Sequence, residues 1–242
     1  MSRIVVALGD CALVKCGEVG TIADQRRNLL AAARSLVELE HAGHELVLTH
    51  GSEPGVVPRA LPTPPLDVAA AESQGQIGYL LAQALTSQLA MEGRGRTIAV
   101  VLTQVVVDPS DRSFGTPSEP VGPVYDRATA RKLAADLGWS IASVDGGWRR
   151  VVPSPQPLEI VEASSIRALV AAGEIVIASG CGGIPVSRTQ AGALVGVEAV
   201  VDKDLAAVVL AESVDADALL LLTDVAAAEF GWGVPSGAVQ KF

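Results

Sequence analysis

Ile175-Val176-Ile177-Ala178-Ser179-Gly180-Cys181-Gly182-Gly183 reads as a short apolar strand that stops on a glycine-rich turn. Further along comes Asp202-Lys203-Asp204, a lysine set between two carboxylates. Glycines let backbone N–H groups approach an anion and accept positive φ, while a lysine flanked by acids is a point charge held in place. Two readings fit these residues equally well. One is a cleft that handles phosphate; the other is a tight strand-to-loop turn followed by a solvated helix start.

On either side of this turn, short apolar runs alternate with helical patterns, as in a parallel sheet covered on both faces. The predicted strands are Arg3 to Leu8, Glu45 to Thr49, Thr97 to Val107, Glu174 to Ser179 and Ala218 to Leu222. Between the first two, Leu29, Leu30, Ala33, Leu36, Val37 and Leu39 recur at helical spacing, and Gly43 ends a helix that starts at Ile22. Further helices are predicted from Asp67 to about Met91, over Ile160 to Ala172, and from near Asp204 to Ser213. Ligands of such sheets bind at the carboxyl ends of the strands. The loops after Leu8, Thr49, Ser179 and Leu222 are therefore the candidate site. From Asp108 to Pro157 the chain is rich in proline, with helical patterning at Arg127 to Leu137. That density opposes continuous ladders and predicts a protruding, hairpin-like lid.

Composition narrows the function classes. With 242 residues, 49% of them apolar, the chain can bury roughly three quarters of its unfolded surface. A net charge of -9 and the absence of a long basic cluster argue against nucleic acid and anionic membrane as partners. Cys11, Cys16 and Cys181 have neither disulfide parity nor metal-ligand spacing, which implies reduced thiols in a cytoplasmic protein and no metal site of their own. The apolar run at Ile4 to Leu8 is too short for a signal peptide, and no stretch reaches the length of a membrane span. There is no Walker phosphate loop and no G-x-G-x-x-G after a strand, so a nucleotide would need another architecture. His50, at a strand end, reads as a residue that orders the loop, and Asp108 and Asp111 as turn formers.

Several segments then resemble one family. Arg3 to Gly9, His44 to Gly51, Glu72 to Gly75, Leu102 to Pro109, Val121-Gly122-Pro123, Trp148 to Pro155, Gly182 to Val186, Gly196 to Asp204 and Asp215 to Leu219 are similar, in order and over essentially the whole chain, to carbamate kinase of the amino-acid-kinase superfamily. The resemblance implies an α/β fold, a three-layer α-β-α sandwich with an open, mainly parallel sheet. It implies a single domain over residues 1–242, with a Pro-rich lid at about 108–157. It further implies phosphoryl transfer between ATP and carbamate, with Mg2+, giving carbamoyl phosphate and ADP, usually in a dimer. Lys203 and Asp204 then take the catalytic positions, the lysine stabilising the phosphoryl group and the acid orienting it. Gly9, Asp10, Cys11, Gly51, Ser52, Glu53, Glu119, Gly182 and Gly183 fall at the substrate and phosphate site. Asp202, Lys203, Thr223 and Asp224 fall at the nucleotide.

The chain also departs from the family pattern. Gly9-Asp10-Cys11 stands where the family has Gly-Gly-Asn, Ser52-Glu53-Pro54-Gly55 where it has Asn-Gly-Pro-Gln, and Glu119 where a lid lysine is expected. Each change makes the anion site more negative. Unit charges 5 Å apart interact by about 3 kcal/mol at an effective dielectric of 20, so one inward-pointing reversal is costly. The family continues with a nucleotide-binding stretch and a Gly-Ser-Met-x-Pro-Lys loop, whereas this chain ends at Phe242, so its nucleotide-binding part is expected to be truncated and Lys203 to stand without two partner lysines. These departures leave two further readings open. One is a non-catalytic or regulatory homologue that acts through a paralogue, as a hetero-oligomer, or through a small ligand. The other is redirected chemistry in the same cleft.

Overall fold

The computed structural model describes residues 2–15, 17–52 and 64–223. Five strands form a wholly parallel sheet: β1 (Arg3–Leu8), β2 (Glu45–His50), β3 (Ile98–Val100), β9 (Ile175–Ile177) and β12 (Ala218–Leu222), in the order β12-β1-β2-β9-β3. Alternation of side chains across the pleat gives each strand two apolar faces. Ile4, Val6, Leu8, Leu46, Leu48, Ile175 and Ile177 pack against α1 (Ile22–His41) and α2 (Leu66–Met91). Val5, Val47 and Val176 face the opposite way, onto α4 (Ala163–Ala171) and α5 (Lys203–Ser213). This is the expected α-β-α layering.

Local chemistry fixes the helix ends. Thr21 opens α1 with a capping box, its side chain accepting from the Asp24 N–H while Asp24 accepts from the Thr21 N–H. Asp202 caps α5, one carboxylate oxygen accepting from the N–H groups of Asp204 and Leu205 at 2.8 and 2.9 Å.

Two predicted elements differ. The run from Thr97 to Val107 is two strands, β3 and then β4 (Gln104–Val107), which lie in different sheets. The break falls at Thr103, whose N–H donates to the buried Gln74 side-chain oxygen at 2.9 Å and so is lost to a ladder, while its C=O accepts both the Gln74 amide at 3.1 Å and the Ile184 N–H of β10 at 2.8 Å. The helix expected from Ile160 begins at Ala163. Ile160 closes β8 (Pro157–Ile160), opposite Val105, and Glu162 turns back to bind the Gln104 N–H at 2.7 Å.

The second sheet runs β11-β10-β4-β8, with β10 (Ile184–Arg188) parallel to β4 and β11 (Leu194–Gly196) antiparallel to β10. The proline-rich segment is more than a hairpin. It forms an antiparallel sheet, β5 (Glu119–Tyr125), β7 (Gly147–Val152) and β6 (Ser140–Val144), together with α3 (Arg127–Leu137). Pro120 and Pro123 are tolerated because β5 is an edge strand whose ladder shifts register between Val121 and Tyr125. Trp139 and Trp148 lie under the guanidinium groups of Arg150 and Arg127, 5.1 and 5.7 Å from the ring centres. Asp108 accepts from Ser110 and Asp111 from Ser113, as turn formers do. Among the described residues no helix is long and apolar enough to cross a membrane.

Candidate functional site

The parallel register brings the predicted loops together. Leu8 pairs with both His50 and Leu222, so the chain leaves β1, β2 and β12 at one level. Gly9 donates to the Leu222 carbonyl and Gly51 to the Leu8 carbonyl, both at 2.9 Å. A Cβ on Gly9 would lie 2.7 Å from the Leu222 oxygen, so only glycine lets the first loop pass.

The turn after β9 is pinned from below. The Ser179 N–H donates to the Thr103 hydroxyl at 2.9 Å, and the Thr49 hydroxyl donates to the Ser179 carbonyl at 2.7 Å. Ser179 and Cys181 adopt left-handed backbone, φ 53° and 57°, which is uncommon for non-glycine residues and marks a turn held by its surroundings. Gly182 carries φ +82°, and a Cβ there would meet the Val201 carbonyl oxygen at 2.0 Å, so the turn packs directly under the residue before Asp202. His50 lies beneath it, 1% exposed, its Nδ1 2.8 Å from the Gly51 carbonyl oxygen. Burial pulls the His50 pKa down to about 4, and the bond to Gly51 offsets this in part, so the ring is neutral and orders the loop.

Two cavities open here. One, of about 280 Å³, is lined by Gly9, Asp10, Cys11, Lys203, Asp204, Leu221, Leu222 and Thr223. The other, of about 310 Å³, lies under the three-stranded sheet and includes Asp10, Ser52, Ser73, Glu119, Arg149, Cys181 and Gly183. Asp10 lines both. Lys203 opens α5 and pairs with Asp204.

The acids define the electrostatics. Burial raises the Asp10 pKa; the Lys203 charge lowers it, Asp204 raises it and a hydrogen bond from the Ser52 N–H lowers it. Burial likewise raises Glu119, with Asp202 and Asp10 adding to the rise and Arg149 opposing it. Glu119 lines the cavity beneath the three-stranded sheet. Burial pushes the Cys181 thiol up to about 12, with Ser73 opposing and Asp10 adding, so it is no thiolate nucleophile. The Ser73 Oγ lies 3.2 Å from its sulfur.

Of the predicted residues, Gly9, Asp10, Cys11, Ser52, Glu119, Gly183, Lys203, Asp204 and Thr223 line these cavities. Gly51 supports them by packing against the Asp10 carboxylate. Gly182 lies beneath, and Asp202 serves as the helix cap. Glu53 and Asp224 lie outside the described residues, as do Cys16 and Trp232. Sequence reasoning missed Arg149 and Ser73 as cavity residues. Arg149 holds the Gly122 carbonyl at 2.9 Å from the neighbouring strand, and strand alternation in Trp148-Arg149-Arg150 was the available signal. Arg150 instead reaches Glu198 at 3.2 Å, while the other Glu198 oxygen accepts the Leu66 N–H at the start of α2.

Known proteins are similar to this chain in sequence and in fold. The model of the amino acid kinase family matches residues 2–227. Carbamate kinase from Pyrococcus horikoshii is 46% identical over 96% of this chain and 77% of its own length. Carbamate kinase from Escherichia coli K12 is 42% identical over 97% and 79%. The solved structure of carbamate kinase from Giardia lamblia bound to AMP-PNP superposes with a TM-score of 0.86 at 37% identity, covering 98% of this chain and 78% of that one. The chain belongs to the amino acid kinase family and, within it, to the carbamate kinase group.

Proposed function

We propose that this chain is a phosphotransferase of carbamate-kinase type, moving a phosphoryl group between ATP and carbamate. The observation that carries the reading is the position of Lys203. It opens α5 beside Asp10, in the cavity formed where β1 and β12 end. Phosphoryl transfer asks a protein chiefly for positioning and for fixed positive charge around the transferring oxygens. Lys203, aligned by Asp204, supplies the charge. The turn at Gly182-Gly183 supplies close backbone approach. The nucleotide belongs with Lys203 and Thr223, and the acceptor with the cavity of Ser52, Ser73 and Arg149, so Asp10 stands between donor and acceptor. A carbamate oxygen attacks the γ-phosphorus as the bond to ADP breaks. No proton changes hands, in keeping with a His50 that is buried and neutral.

Mg2+ fits this reading as a partner of the nucleotide. Among the described residues no three His, Cys, Asp or Glu side chains gather into a metal-binding group. Asp202 is engaged as a cap, Asp204 with Lys203 and Asp10 with the Ser52 amide. Mg2+ is commonly held by substrate phosphates plus few protein ligands. The three-stranded sheet, whose Glu119, Gly122 and Arg149 roof the acceptor cavity, acts in this reading as a lid, and the chain as one domain.

The test is ATP formation from carbamoyl phosphate and ADP. The parent chain should form ATP, and Lys203→Ala should lower the rate by about a hundredfold or more, the scale of losing one group that stabilises the transition state. A parent chain that forms no ATP would sink the kinase reading in favour of the non-catalytic homologue.

A further inference from the structure

Asp10 lies where the two cavities meet. Its Oδ1 rests on Gly51 so closely that a Cβ there would sit 1.8 Å away. The same carboxylate accepts the Ser52 N–H and faces the Lys203 charge. An amide N–H, a lysine and a glycine that allows close approach are also what an incoming phosphoryl oxygen would use. A carboxylate presents two oxygens of similar character and is drawn to the same groups. Tethered to the chain by a single methylene, it competes at every concentration of free anion.

We propose that Asp10 is a built-in anion that occupies the phosphoryl subsite between Lys203 and the Ser52 amide, making it the specificity-determining residue of the cleft. It lowers affinity for phosphate-type anions, and it must turn away from Lys203 and Ser52 before a phosphoryl group seats. The proposal rests on the reading of this cleft as a phosphoryl-transfer site. Burial, with Asp204 nearby, works against the Asp10 charge, whereas Lys203 and the Ser52 N–H favour it. The Ser52 N–H is therefore already taken up by Asp10, while Lys203, paired with Asp204, acts on Asp10 through its charge.

Inorganic phosphate titrated calorimetrically into the full chain tests this. Asp10→Gly should bind phosphate about a hundredfold tighter than the parent, the scale of removing one like charge about 5 Å away at an effective dielectric of 20. Asp10→Asn should gain less, because its amide oxygen still accepts from Ser52 while its charge is gone. Adding Lys203→Ala to Asp10→Gly should erase the gain. Circular dichroism establishes that each variant is folded, and Asp10→Asn carries the test if Asp10→Gly is not. Phosphate affinity unchanged in both single variants, or a gain that survives the loss of Lys203, overturns the proposal. ATP formation is assayed in parallel. Tighter phosphate binding without ATP formation upholds this role for Asp10 and sinks the kinase reading; ATP formation without any change in phosphate binding does the reverse.

Discussion

The two walls of the cleft are built differently. The wall made by the ends of β1, β2, β9 and β12 is set by backbone: amides bonded across strands, a turn in left-handed conformation, and a buried imidazole beneath it. The opposite wall, in the three-stranded sheet, is set by partly exposed side chains, Glu119, Arg149 and Arg150, on a short antiparallel ladder interrupted by proline. The first wall has no room to adjust, so substitutions there should be felt as stability. The second can give, so substitutions there should be felt as affinity.

The steepest break of that contrast is Gly180→Ala. A Cβ at this position would lie 2.3 Å from Nε2 and 2.4 Å from Cε1 of His50, whose ring is buried with nowhere to go. Overpacking of this kind costs about 1–3 kcal/mol. In a chain of this size that lowers the thermal midpoint by about 5 °C, read by circular dichroism. An unchanged midpoint would mean that this wall yields as readily as the other.

His50 gives the same wall a pH dependence of comparable size. Its pKa is about 4 in the folded chain against the ordinary 6.5, so between these values the unfolded state binds more protons. Stability should therefore fall as the pH drops from 6.5 to 4, by up to about 3 kcal/mol. Urea unfolding across that range measures it, and His50→Gln should flatten the slope. A slope unchanged by His50→Gln would place the ring in water rather than beneath the turn.

On the side of the three-stranded sheet, Glu119→Lys should tighten phosphate binding by about tenfold at most, with little change in thermal midpoint, because the residue is only half-buried. A large fall in midpoint would erase the distinction between the walls.

Where the sequence spoke clearly, one physical demand governed the residues. β1, β12, α1 and α3 were legible to the residue: two-sided burial makes β1 a continuous apolar run and one-sided burial makes α1 periodic, while β12 was read from its unbroken leucines although Leu220, Leu221 and Leu222 are exposed. Thr97 to Val107 misled because Gln74, far off in sequence, takes the Thr103 N–H, and the Thr103 carbonyl turns to Ile184 of the second sheet. Ile160 misled because an apolar residue at a strand end resembles one at a helix start. In the site, the glycines and the Asp202-Lys203-Asp204 triplet announced themselves by type and order. Arg149 and Ser73 did not. An arginine on a strand and a serine on a helix acquire meaning only when the fold aims them into one cavity.

Glu198 carries a consequence for movement. One of its oxygens is held by the first amide of α2 and the other by Arg150. Were the three-stranded sheet to lift, as the proposed lid role has it, the acid would keep its bond to the body of the molecule and stay oriented. Closing again would require only the arginine to find its place, since the landing point is already fixed; the return stroke loses one side chain's freedom instead of two.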